Sequence, residues 1–461
     1  VKVLDYQGNL ADSDALAEHL SQAGLSPAAC REKAVLFAEA AKELGPNKVN
    51  PENRTIRAFF VPGRIEVLGK HTDYAGGRSI VAAAERGFCL IASPRNDSRV
   101  QVADALLGES TRFQLDLDIA PDIGHWSNYP MTVARRIAKN FPGACRGADM
   151  AFASDLPPAA GMSSSSALMV ATFLALADVN RLAERGEYQQ DINSPTDLAE
   201  YLGAIENGQT FGSLEGDRGV GTFGGSEDHT AILTAEPNRA SEYYYCPIRF
   251  VRTIPIPEKH IFAIGVSGVV AEKTGAAKDK YNAASRRASG IAELWRKATG
   301  RDDPHLAAAL ESEPGAAARL KSILSSARYE EFGPEPLLSR LEHFITESEE
   351  TLPLAGDTLA RGDVNAFGSL VDRSQKAAEQ LLGNQIPETI HMAACARASG
   401  APAASSFGAG FGGGVWALLP EPKAEGIINA WTAAYRAKFP KLVEESSFFT
   451  TRAGPAAFRV C

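Results

Sequence analysis

Residues 156–168 read "LPPAAGMSSSSAL". Two prolines end whatever precedes them. A glycine and four serines follow, and a strongly helical run, "ALMVATFLALADVNRLAE", begins at once. Small residues let backbone N–H groups come close to an anion, and a helix N-terminus adds unpaired donors and partial positive charge. Gly161, Ser163, Ser164, Ser165 and Ser166 are therefore candidates for holding phosphate, with the hydroxyls available for hydrogen bonds or a Mg²⁺ contact. The competing reading is plain N-capping, which one serine would satisfy. No GKS or GKT follows, so this is not a Walker A loop, and it is not G-x-G-x-x-G.

Three further segments have similar texture. "GAGFGGG" (residues 408–414) lies between a helix-like segment and the β-rich "VWALL"; its glycines permit a close backbone approach or a tight crossover. "TFGGSEDHTAIL" (residues 222–233) places Asp228 after Gly-Gly at the head of an apolar run, as a general base or a cap. Glu206 ends the preceding helical stretch. "GRIEVLGKHTDYAGG" (residues 63–77) packs His71, Thr72, Asp73 and Tyr74 between glycines, directly after Lys70.

Taken in chain order, the segments resemble the GHMP kinase superfamily, and within it the galactokinase branch. Residues 62–77 look like the galactokinase signature, GR-x-N-L-I-G-E-H-T-D-Y-N-G-G. Residues 156–168 look like the family's phosphate-binding motif, P-x-G-x-G-L-S-S-S-A. "SSFGAGFGGGVWAL" resembles its third motif, "GGSEDHTA" its C-G-I-M-D-Q segment, and "FGSLVDRSQ" (residues 367–375) a further block. The likeness runs from about Arg57 to the C-terminus.

The resemblance implies an α+β fold of two domains, ribosomal-protein-S5-like then ferredoxin-like, with the site in the cleft between them. It implies ATP and Mg²⁺, a monosaccharide acceptor, and transfer of the γ-phosphoryl group to the C1 hydroxyl. Asp228 aligns with the family's active-site Asp, and Arg64 with the arginine beside it, where a guanidinium favours the ionised carboxylate and stabilises transition-state charge. Glu206 and Ser164, or a neighbouring serine, align as metal contacts. His71, Asp73, Gly225 and Tyr281 fall on the sugar side. "SLEGDRGVGTF" looks like an insertion between Glu206 and Asp228.

The departures bear on the substrate. Lys70 replaces the signature Glu that holds the sugar's C6 side, and a lysine can only donate and attract anions. Glu66 stands where the signature has Asn, four residues earlier, so the two can pair if the segment is helical. The second reading is that the sugar carries an acid at that end: a uronic acid such as galacturonate, or a sugar phosphate, would suit a lysine. Ser226-Glu227 replace Ile-Met, and Gly414 stands at a Cys position. A catalytically silent sugar and ATP sensor is a further alternative, against which Ser163 to Ser166, Arg64 and Asp228 all stand. An isoprenoid or amino-alcohol acceptor is opposed by the HTDY segment.

The rest of the chain bounds these readings. Its 461 residues, 44% hydrophobic and 22% charged with net charge −9, fit a soluble globular protein and not a general nucleic-acid binder. Six scattered cysteines show no CxxC pair, which excludes a signalled zinc site and suits a reduced, cytoplasmic chain. No apolar run suits a membrane span, and "VKVLDYQGNLADSD" lacks a secretory core. We expect a helical extension over 1–50, with Ser13 capping its first helix. The N-terminal domain is expected over 51–253 and the C-terminal domain over 254–461, whose last strand can return to the first domain. "TIRAFFVPGRIEVLG" reads as strand, turn, strand, and Ser194-Pro195 as the start of a helix. Monomer and dimer both stay open.

Overall fold

The strand Arg78–Pro94 organises the first half of the molecule. It pairs antiparallel with Arg57–Leu68 on one side, and on the other with Ala148–Ser154 and, nearer its start, Arg239–Tyr244. The sheet they build is buried on both faces, which is why these strands read as continuous apolar runs. Alternation along Arg57–Leu68 sends Phe59 and Val61 to one core and Ala58 and Phe60 to another. The first core is covered by the helices Asn128–Asn140, Ser164–Val179 and Pro195–Asn207. The second is closed by the N-terminal helices Ser13–Leu20 and Pro27–Leu44. The opening helices thus serve the fold. Leu16, Leu20 and Phe37 are fully buried, and each contributes about 2 kcal/mol by leaving water.

A second sheet runs Ala403–Ser406, Gly414–Pro420, His260–Val266, Ser447–Thr451, all antiparallel. The helices Pro387–Ala398 and Ala424–Lys438 cover one face around Trp431 and Tyr435. On the other face Phe262 and Trp416 join the core of the first half. A helical layer, including Ala276–Thr299 and Pro334–Phe344, packs Trp295, Leu341 and Phe344 against Ala75. At the chain's end, Ala453–Gly454 pairs with Arg78–Pro94, and Phe458–Arg459 pairs with Arg57–Leu68 and, in parallel, with Lys2–Val3.

This computed structural model describes residues 1–45, 48–49, 55–122, 124–158, 160–270 and 276–461, so the expected boundary at 50/51 lies outside the described residues. Among them no helix is long and apolar enough to cross a membrane. Three expectations are corrected. Asp12, not Ser13, caps the first helix, accepting from the Ala15 N–H. Residues 57–68 form one strand with register shifts at Pro62/Arg64 and Glu66/Leu68: the Arg64 N–H donates to the Met162 carbonyl, so Gly63 lies under the Ser-rich loop and makes no turn. The segment before "GAGFGGG" is a strand, Ala403–Ser406. Ser194 caps its helix with Pro195 in the first turn.

Candidate active site

The helix Ser164–Val179 begins after Ser163, whose backbone is left-handed (φ 58°) and whose side chain does not cap the helix. The first-turn N–H groups are therefore left for a ligand. Gly161 (φ 77°) is pressed against the second Gly-rich loop: a Cβ there would lie 2.8 Å from the Phe407 carbonyl oxygen, and one on Gly408 would lie 3.0 Å from Gly161 Cα. Only glycines let the two loops touch backbone to backbone. Gly414 has the same cause, since a Cβ would sit 2.7 Å from the Ala160 carbonyl oxygen. Beside these loops opens a cavity of about 500 Å³. The aromatic group Phe88, Phe152 and Trp126 lines it, as do Ser163, Ser164, Ser165 and Arg64.

At its inner end, Arg64 Nε donates to Asp228 Oδ1 at 2.7 Å, Nη2 donates to the same oxygen, and Nη1 donates to the Gly161 carbonyl at 3.1 Å. Burial alone would lower the Arg64 pKa, but Asp228, Glu66 and Glu227 together raise it. Asp228 lies in the first turn of the helix Glu227–Thr234. Ser166 Oγ donates to Glu206 Oε2 at 2.9 Å and reaches Asp228 Oδ2 at 3.4 Å. The serine joined to Glu206 is thus Ser166, while Ser164 faces the cavity with Ser163 and Ser165. Different sides of one helical turn carry these two roles, and a run of four serines does not show which residue faces which way. The inserted stretch does not displace Glu206: it folds onto the helix Asn128–Asn140, where Arg135 pairs with Asp217 at 2.7 Å and the Asn140 amide donates to the Glu215 carbonyl.

A second, smaller cleft adjoins the first at Arg64, Gly408 and Ala409, and is lined by His71, Asp73, Tyr74, Glu206, Gly225, Tyr281 and the acids Glu66, Glu227 and Asp228. The His71 ring nitrogens lie 3.0 Å from Tyr74 Oη and 3.1 Å from the Ala409 carbonyl. Tyr281 packs on the His71 ring at 5.1 Å. Asp73 Oδ2 accepts from the Glu227 N–H at 3.2 Å, so it anchors the helix that carries Asp228. Gly225 is needed for that contact, because a Cβ there would overlap Asp73. Every sugar-side candidate except Lys70 comes together here.

Lys70 does not line the cleft. It is 1% exposed, and its Nζ donates to Ser374 Oγ at 3.1 Å. Ser374 Oγ donates on to Glu347 Oε1 at 3.0 Å, which also accepts from the backbone N–H groups of Gly69 and Lys70 at 2.9 and 3.3 Å. The segment is not helical, and Glu66 turns instead toward Arg64, at 3.7 Å. Arg340, fully buried, donates to the His71 carbonyl, which holds that residue's left-handed backbone (φ 57°). Glu347, Ser374 and Arg340 lie about 270 to 300 positions away in sequence; Ser374 falls in the "FGSLVDRSQ" block, and no local pattern marks Glu347 or Arg340.

The cleft is rich in carboxyls, and burial raises their affinity for protons. It pushes Glu66 up to about 7 against the pull of Arg64 and Lys70, and Asp73 up to about 6. Glu227 is driven well above the ordinary range by burial and then by Glu66. For Glu66 the sign is fixed: below about pH 4.5 both folded and unfolded chains hold the proton, and between 4.5 and 7 only the folded chain does. Its contribution to stability is lost as pH rises through that window, with a slope of up to about 1.4 kcal/mol per pH unit. Denaturant unfolding of wild type and Glu66→Gln between about pH 4.5 and 7.5 checks this. The expected result is a wild-type stability that falls relative to the neutral variant, and equal slopes would contradict it.

Fold and site together define a known class. Three family models match: GHMP kinases N terminal domain over residues 128–217, the galactokinase galactose-binding signature over 49–94, and GHMP kinases C terminal over 357–437. The chain carries the N- and C-terminal domains of the GHMP kinases, has their α+β fold, and is an ATP-dependent phosphotransferase with an alcohol group as acceptor. It is 29% identical to a galactokinase of Chloroflexus aggregans over 392 residues, 84% of this chain and 88% of that one. It is 26% identical to a galactokinase of Enterococcus faecalis over 82% of this chain and 90% of the relative. The crystal structure of Lactococcus lactis galactokinase complexed with galactose superposes with a TM-score of 0.71 at 22% identity, covering 90% of this chain and 96% of that chain. With the signature match, these place the protein on the galactokinase-like branch as a sugar kinase.

Proposed function

We propose that this enzyme transfers the γ-phosphoryl group of ATP to the anomeric C1 hydroxyl of galactose or a closely related monosaccharide. The observation that carries the reading is the Arg64–Asp228 pair, which stands where the serine-lined cavity meets the cleft of His71, Asp73 and Tyr281. In that geometry Asp228 accepts the proton of the C1 hydroxyl as its oxygen bonds to phosphorus and the bond to the ADP oxygen breaks. Arg64 stabilises the charge on the transferring group. The first-turn N–H groups of Ser164–Val179 hold phosphate oxygens, and the aromatic group of the cavity takes the base. Mg²⁺ fits Glu206 and the Ser166 hydroxyl, an oxygen pair of the kind that shares this ion with substrate phosphates, and it would neutralise phosphate charge there.

The acidic-sugar alternative rests on Lys70, and the ammonium is spent on Ser374 behind the cleft wall. A coupled ADP-release assay on galactose and galacturonate, with the product identified by NMR, tests the assignment. We expect galactose 1-phosphate and at least about 100-fold lower kcat/KM for galacturonate, as for a buried charge left unmatched. Phosphorylation at another hydroxyl, or a preference for galacturonate, overturns the reading. At the nucleotide end, Trp126 is fixed by its indole N–H to Glu109 at 2.7 Å and lies edge-on to Phe152 at 5.9 Å. Trp126→Ala is expected to raise the KM for ATP about tenfold through lost aromatic contact. The KM for sugar should stay within about twofold in the same assays.

A further inference from the structure

Two carboxyls of the cleft have no counterpart in the galactokinase pattern, where Asn of the signature stands at Glu66 and Met of the C-G-I-M-D-Q segment at Glu227. Both are buried, at 3% and 4% exposure, and both line the cleft. Glu66 Oε2 accepts from the Gly408 N–H at 3.3 Å and lies 3.7 Å from Arg64 Nη2. Glu227 Oε1 is 3.8 Å from Arg64 Nε, beyond hydrogen-bond reach. Among the described residues, Oε1 of Glu66 and Oε1 of Glu227 receive no hydrogen bond. A buried acceptor without a donor is costly, and one ordinarily persists where a ligand supplies the donor.

The position of these oxygens says which part of the ligand they meet. Both acids flank Arg64, the partner of Asp228, so they stand at the reacting end of the sugar. The neighbours of C1 in a hexose ring are C2 and the ring oxygen, and only C2 carries a substituent. In the empty cleft burial favours their protonated forms; ionised, the two acids would repel an incoming phosphoryl group, and a neutral hydroxyl offers them one proton to share. An ammonium offers three donors and a positive charge, satisfies both oxygens, and offsets that repulsion.

We propose that the preferred acceptor is a 2-amino-2-deoxy-hexose and that Glu66 and Glu227 bind its ammonium group. This rests on the C1-kinase reading above. The test compares kcat/KM and calorimetric Kd for galactose, 2-amino-2-deoxygalactose and its N-acetyl derivative. The proteins are wild type, Glu66→Gln, Glu227→Gln and the signature-like double variant Glu66→Asn/Glu227→Met, each checked for folding by thermal melting. Wild type should favour the amino sugar over galactose by about tenfold or more, as for a charge-assisted contact. The N-acetyl sugar should lose that preference, and the variants should bring the ratio toward one. A wild-type ratio near one, or a ratio that the variants leave unmoved, overturns the proposal while the C1-kinase reading stands. If no sugar is phosphorylated, that reading falls, and the ratio of the two Kd values still decides whether the acid pair selects an ammonium.

Discussion

Asp228→Asn is expected to lower kcat about 10³-fold, the range for removing a positioned general base. The substitution keeps the shape and the hydrogen-bond acceptor toward Arg64, but it deletes the group proposed to take the C1 proton. Removing the Asp228 charge removes one of the charges that oppose ionisation of Glu66, which lies 3.7 Å from Arg64, so the guanidinium stays compensated and the fold should survive. Asp73 still anchors the helix Glu227–Thr234 through the Glu227 N–H, which keeps residue 228 in place. ATP and sugar should therefore bind with Kd values within a few-fold of wild type. Single-turnover measurement of ADP formation, with calorimetry of both ligands, separates the effects. Turnover within about tenfold of wild type would mean that the proton leaves by another route. The same variant addresses the sensor alternative, because a protein that only senses sugar and ATP would retain its cellular role.

The chemistry of this site is legible in the sequence to an unequal degree. Gly161, Ser163 to Ser166, Arg64, His71, Asp73, Gly225 and Asp228 lie in short ordered motifs, where each glycine or hydroxyl answers a local need of backbone geometry. Residues of that kind can be read from neighbours alone. The assignment of Ser166 over Ser164 to Glu206 depends on helix phase and on a second helix, Pro195–Asn207, so composition does not give it. The continuous strand through Gly63 is hidden because glycine after proline usually marks a turn. Here the glycine makes room for Leu156 and the Met162 carbonyl from the Ser-rich loop. Ser374 lies in "FGSLVDRSQ", a block that stands out in the sequence, yet its partner Lys70 is about 300 residues away. The first helices have no readable role for a similar reason: the sheet face that they cover is built from Ala58, Phe60, Cys89, Ile91, Ala151 and Phe458, scattered over the whole chain.

Lys70→Met is expected to cost about 3 kcal/mol of stability and to raise the KM for sugar more than it lowers kcat. The ammonium is fully enclosed, and with it gone Ser374 loses its donor while Glu347, at 0% exposure with Oε2 already unpartnered, is left in a dry environment without the nearby cation. Glu347 is also the acceptor for the Gly69 and Lys70 N–H groups, so its discomfort is passed to the backbone that presents His71 and Asp73. Lys70→Glu restores the residue of the signature but sets a third carboxyl beside Glu66 and Glu347, whose charges already oppose one another. That variant should be less stable than Lys70→Met and should gain nothing on galactose. The companion substitution Glu347→Gln is expected to recover at least about 1 kcal/mol when combined with Lys70→Met, since neighbouring groups in one network are non-additive. Denaturant unfolding of the four proteins of this cycle, with sugar KM measured on each, gives the coupling directly. Additive losses, or a Lys70→Glu enzyme that is stable and better on galactose, would mean that the lysine does face the sugar.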